Sequence, residues 1–95
     1  MPLRFLVHVV YLVHMTMQAE AESIPQWTMA DRLRKAREHA GLEQNDLAGR
    51  IGLSRGAISA YERAVTVPKR PVLLSISMAT GVPLAWLETG MKPAG

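Results

Sequence analysis

Cysteine is absent from the chain, which excludes disulfide staples, thiolate zinc sites and thiol nucleophiles. Histidine is scarce: His8, His14 and His39 do not fall at metal-ligand spacing with a carboxylate, so no metal site is expected. No paired-carboxylate pattern, nucleophile triad or glycine-rich phosphate cradle occurs, and neither an enzyme nor a cofactor is expected. A membrane-spanning helix needs roughly 20 apolar residues. The most hydrophobic stretch, residues 1–17, is shorter than that. No internal repeat is visible either.

What remains is an ordinary globular balance. The 95 residues are 48% hydrophobic and 20% charged, enough for one small domain with an appendage and too few for a large catalytic cleft. Eleven Lys and Arg against eight Asp and Glu give +3, and the sequence pI is near 9.8. That mild basicity permits a nucleic-acid partner.

The composition changes twice along the chain. Residues 1–17 are apolar and β-branched, with Arg4 as their one charge. Leu3, Phe5, Val7, Val9, Tyr11, Val13, Met15 and Met17 alternate, which is the period of a strand. A helical reading would scatter Arg4, His8, His14 and Thr16 over more than one face. A secretory signal competes, through the basic start and Ala19-Glu20-Ala21, but the histidines argue against it. An unpaired apolar strand invites aggregation, so residues 3–17 are expected to pair with the same strand of a second copy, giving a homodimer. Internal starts at Met15, Met17 or Met29 are the alternative. Residues 18–28, acidic and interrupted by Pro25, read as a linker.

Residues 29–90 read as five short helices, followed by a tail at 91–95. Thr28 is an N-cap with Asp31 three residues on, and Met29, Leu33, Ala36 and Ala40 form the inward face until Gly41 stops the helix. The second helix spans 44–51, with Leu47, Ala48 and Ile51 inward and Gly52 at its end. Ser54 caps a third, running to about Arg63 with Ile58 and Tyr61 inward. The fourth covers about 71–80. The fifth has Pro83 at its first helical position, Trp86 and Leu87 inward, and Gly90 after its end. Arg32, Arg34 and Lys35 read as solvated faces of the first helix.

Two helices of two turns each, joined tightly at Gly52 with small Ala48 where they meet, project the second as a probe suited to a major groove. Here the chain resembles the helix-turn-helix domain of the Cro and λ-repressor family, also called the XRE family. The likeness runs through Arg34 to Arg37, Gly41-Leu42, Gln44, Leu47-Ala48, Gly52-Leu53-Ser54, Ile58-Ser59 and Tyr61-Glu62-Arg63. It continues through Pro68, Leu73-Leu74, Ala79, Gly81-Val82-Pro83-Leu84 and Trp86-Leu87 to Thr89-Gly90.

The resemblance, over residues 29–90, implies an all-α, five-helix λ-repressor-like domain, which the apolar N-terminal extension read as a strand precedes. It implies a cytoplasmic transcriptional regulator, a repressor acting by operator occupancy, with double-stranded operator DNA as partner and no membrane association. Base-reading positions would be Arg55, Gly56, Ser59 and Ala60. Phosphate contacts would come from Gln44, Asn45, Ser54, Arg63, Lys69 and Arg70. Arg37 and Glu62 would form a structural ion pair between the first and third helices. Five positions depart from the pattern: Gly56 replaces a polar residue, Ala64 replaces a glycine, Val65 and Val67 take the place of a basic position or two, and Glu43 stands where Ser or Thr commonly caps. Across 29–70, nine cationic side chains face five anionic ones, so the basic surplus sits on the reader. An antitoxin that holds a partner protein through residues 1–17, or an interaction module that kept only the fold, are the rival readings.

Overall fold

The computed structural model describes residues 9–10 and 25–92. Val9 and Val10 are helical and exposed, where a strand was expected; the rest of that strand and its pairing lie outside the described residues. So do residues 18–24 of the linker and 93–95 of the tail.

Five helices follow: α1 (Met29–His39), α2 (Gln44–Ile51), α3 (Arg55–Glu62), α4 (Arg70–Thr80) and α5 (Leu84–Thr89). Local chemistry sets their ends. The Thr28 hydroxyl accepts from the Asp31 N–H at 3.3 Å, while the Asp31 carboxylate accepts from the Thr28 N–H at 3.0 Å. Those Thr28 donors hold the Asp31 carboxyl below its ordinary pKa. At α2 the Glu43 N–H donates to Asp46 at 2.9 Å, so the acidic residue three positions on closes the turn that a Ser or Thr cap commonly closes. The Ser54 hydroxyl accepts from the Ala57 N–H at 3.1 Å and starts α3. Helix α4 begins one residue earlier than its spacing suggested, with Pro71 in its first turn. Pro83 caps α5 from outside rather than occupying its first turn.

Two packed clusters share their rim residues. Leu33, Ala36, Leu73, Ile76 and Leu87 join α1, α4 and α5. Leu42, Leu47, Ala48 and Ile58 join α2 and α3. Ile51 and Tyr61 pack against both, so the helix pair is fastened to the rest of the domain along one continuous apolar seam. Among the described residues no helix is long and apolar enough to cross a membrane.

A further expectation is overturned. Arg32 is buried, at 9% exposure, and does not lie on a solvated face. Its Nε donates to the Leu87 carbonyl at 3.0 Å, Nη2 to the Glu88 carbonyl at 3.2 Å and Nη1 to the Trp27 carbonyl at 2.8 Å. The reason lies in α5: six residues leave most of its last carbonyls without intrahelical donors, and a planar guanidinium can serve two of them at once. Residue 32 also falls at the spacing that places Met29, Leu33 and Ala36 inward. The chain leaves α5 through Gly90 at φ +75°, where a Cβ would approach Arg32 Nη1 to 3.3 Å. Trp27, delivered by the same guanidinium, meets Trp86 edge-on with ring centres 6.4 Å apart.

Arg32→Met should therefore destabilise the domain by about 2–3 kcal/mol, since carbonyls buried under α5 lose their donors. Urea unfolding should show this, with loss of the near-ultraviolet signal from the Trp27–Trp86 contact. Stability equal to the parent chain would mean that α5 is held by its apolar side alone.

Candidate nucleic-acid interface

Helices α2 and α3 are joined by three residues. Gly52 adopts φ +72°, a left-handed conformation that spares the turn the steric penalty of a side chain. The Leu53 N–H then returns to the Ala48 carbonyl at 2.9 Å. This sets α3 across the end of α2, with Ile58 buried beneath it and its other side in solvent.

That outer side carries the residues singled out from sequence. Arg55 and Gly56 are exposed in the first turn; Ser59 and Ala60 are half-buried one turn on. Arg63 continues the row, and its Nε donates to the Ser59 hydroxyl oxygen at 3.2 Å. The Ser59 O–H remains available as a donor. A Cβ at Gly56 would meet only the Ser54 hydroxyl, at an ordinary 3.8 Å. Nothing in the packing of the domain therefore requires glycine there.

The flanking groups fall into two sets. Asn45, Ser54, Arg63 and Lys69 are exposed, and Ser54 also caps α3. Gln44 and Arg70 are partly engaged within the domain. The Gln44 amide donates to Glu62 at 3.3 Å, and Arg70 Nε lies 3.8 Å from the Glu88 carboxylate while its side chain stays largely exposed. The Gln44 contact with Glu62 had no signal in the sequence, because 18 residues separate the two groups. Among the described residues, no cluster of His, Asp and Glu is placed to hold a metal ion.

Beneath the outer face, α3 is tied to α1 by charge. Arg37 Nε and Nη2 donate to the two Glu62 oxygens at 2.8 and 2.9 Å, a bidentate fork, and Nη1 donates to the Leu42 carbonyl at 2.8 Å. The side chains are only 11% and 4% exposed. The hydrogen bond to Glu62 raises the affinity of the Arg37 guanidinium for its proton. Glu62 thus accepts from both α1 and the first residue of α2, and it fixes the last turn of α3 against each.

The loop after α3 carries one strained residue. Ala64 sits at φ +59°, the only non-glycine with positive φ among the described residues. It turns the chain so that the Val65 N–H reaches the Ala60 carbonyl at 2.9 Å. Val65 and Val67 are left exposed beside Arg63 and Lys69, and Pro68 is buried.

Comparison with known proteins agrees with this geometry. A family model described as helix-turn-helix matches residues 33–87, more than half of the chain. The chain belongs to the helix-turn-helix family. Among solved structures it is similar to the P22 c2 repressor in complex with the synthetic operator 9T, at 32% identity and a TM-score of 0.65. That match covers 70% of this chain and all of the repressor chain. It is similar also to the DNA-binding domain of the P22 c2 repressor determined by nuclear magnetic resonance. There the identity is 31% and the TM-score 0.65, over 70% of this chain and 88% of that one. The helix-turn-helix core is thus of the Cro and λ-repressor type.

Two substitutions test the support of α3. Ala64→Gly should stabilise the domain by roughly 0.5–1 kcal/mol, because relief of the left-handed strain exceeds the added freedom of the unfolded chain. Thermal unfolding should register it, and a lower melting temperature would contradict the strain. Arg37→Ala should cost about 3 kcal/mol by leaving the Glu62 carboxylate buried without its cation. Chemical denaturation measures that loss, and a change within error of zero would show that the pair does not hold α3.

Proposed function

We propose that this chain is a sequence-specific, double-stranded-DNA-binding transcriptional regulator that represses by occupying its operator, in the manner of a compact phage Cro. The observation that carries the reading is the outer face of α3. It presents Arg55, Gly56 and Ser59 to solvent, flanked by Arg63 and Lys69, and it is not covered by any other described helix. Similarity to a repressor solved on its operator supports the same reading.

Each group has a role that its chemistry allows. Arg55, at the tip of α3, would bridge guanine O6 and N7 as a bidentate donor. The Ser59 O–H would donate to a base or phosphate acceptor, and Ala60 would touch a thymine methyl. Gly56, free of any packing requirement, would let the first turn of α3 approach the base edges closely. Exposed Asn45, Arg63 and Lys69, the Ser54 start of α3 and the remaining donor of Gln44 would anchor phosphates. Arg70, drawn toward Glu88, would be the weaker contributor. Pairing of residues 3–17 between two copies would present two α3 helices to half-sites about one helical turn apart, ~34–36 Å. The site of action would be the cytoplasm of a bacterial host.

Footprinting on the DNA flanking its own gene should reveal a protected inverted repeat, and a reporter driven from that DNA should be silenced. Arg55→Ala should lose about 1–3 kcal/mol of binding to that site and relax the preference at one base pair. Lys69→Ala should weaken all sequences alike and lower the slope of log affinity against log salt by about 1. Unchanged operator binding by Arg55→Ala would refute α3 as the reading helix.

A further inference from the structure

A second surface lies apart from α3. Helix α1 and the α4–α5 corner enclose a groove of about 300 Å³, floored by Ala36, Val82, Pro83 and Trp86. That volume is at the low end for ligand sites and suits one bulky side chain rather than a cofactor. The floor is apolar, and the rim is not: Lys35 and His39 stand along one edge and Lys92 along another. Neither lysine makes an ion pair with any described residue. The nearby carboxylates of α1, Asp31 and Glu38, lie instead against Arg34, at 3.5 and 3.9 Å. Local acids are therefore drawn to one cation while the groove keeps two others unneutralised.

The wall of the groove is also stiff. Trp86 is held edge-on by Trp27, which is itself tied through its carbonyl to buried Arg32. An aromatic ring braced by Trp27, small Ala36 beside it and a cationic rim together suit an anchor flanked by carboxylates.

We propose that this groove is a docking site for an acidic segment of a partner protein that inserts one large apolar side chain between α1 and Trp86 and sets its carboxylates against Lys35 and Lys92. No residue of α2 or α3 lines it, so the groove stays available while α3 engages another surface. The proposal does not rest on DNA binding by α3.

Nitrogen-15-labelled full-length chain titrated with three capped synthetic hexapeptides, EELFEE, KKLFKK and EEGSEE, tests it. EELFEE should shift the amides of Ala36 and Val82 and the Trp86 indole N–H, and the other two peptides should leave them in place. The double variant Lys35→Glu/Lys92→Glu should weaken EELFEE by about tenfold. Lys35→Arg/Lys92→Arg should keep the affinity, and both variants change exposed side chains that the core does not use. Arg55→Ala should leave the titration unchanged, which separates this site from the reading helix. Equal binding of KKLFKK, shifts mapping elsewhere, or no shift with EELFEE would overturn the proposal. So would movement of the same groove signals on concentrating the chain alone, which would assign the groove to a second copy.

Discussion

The posture of α3 depends on one buried fork, the bidentate contact between Arg37 and Glu62. Its placement explains why so short a helix can be presented rigidly. Two turns of helix have little stability by themselves, and most of what orders them must come from packing. Ile58 supplies the apolar anchor, but an apolar contact resists rotation about itself only weakly. A planar guanidinium against a carboxylate fixes an angle as well as a distance. Because Arg37 also holds the Leu42 carbonyl, and Glu62 the Gln44 amide, the same fork sets the turn between α1 and α2. The outward face of α3 is thus oriented by groups that are mostly hidden from solvent.

A second cation does comparable work at the opposite end of the domain. Arg32 closes α5 by donating to its last carbonyls, and it brings Trp27 onto Trp86. Two of the arginines of α1 therefore serve the interior, and the basic surplus available to a polyanion is smaller than the count along the sequence suggests. The surplus that does face outward is split: Arg55, Arg63 and Lys69 lie around α3, while Lys35 and Lys92 lie around the α1–α5 groove. A mildly basic chain has, in this way, two chemically different cationic faces.

The helices were legible because their signals are local. Thr28 with Asp31, Ser54 with Ala57, and the left-handed glycines after α1, α2, α4 and α5 act within one turn of the residues they control. The inward positions Leu33, Ala36, Leu47, Ile58 and Leu87 followed from spacing alone, since burial repeats with the helix period. The outward residues of α3 came instead from the family resemblance, which names the positions that the probe helix presents. Arg32 was misplaced because charge was weighed above position, although its spacing placed it beside Leu33 and Ala36.

By itself, then, the sequence determined where helices start and stop and which stripe of each is buried. Each of these follows from interactions between residues a few positions apart. Tertiary structure alone decided that Arg32 serves carbonyls 55 and 56 residues away, that Gln44 leans on Glu62, and that a cation-rimmed groove opens between α1 and Trp86. Those outcomes depend on where distant backbone carbonyls and side chains come to rest once the core has closed. A hydrogen bond is specific to a few tenths of an ångström, whereas the pattern that encodes the fold records only which side of each helix is apolar.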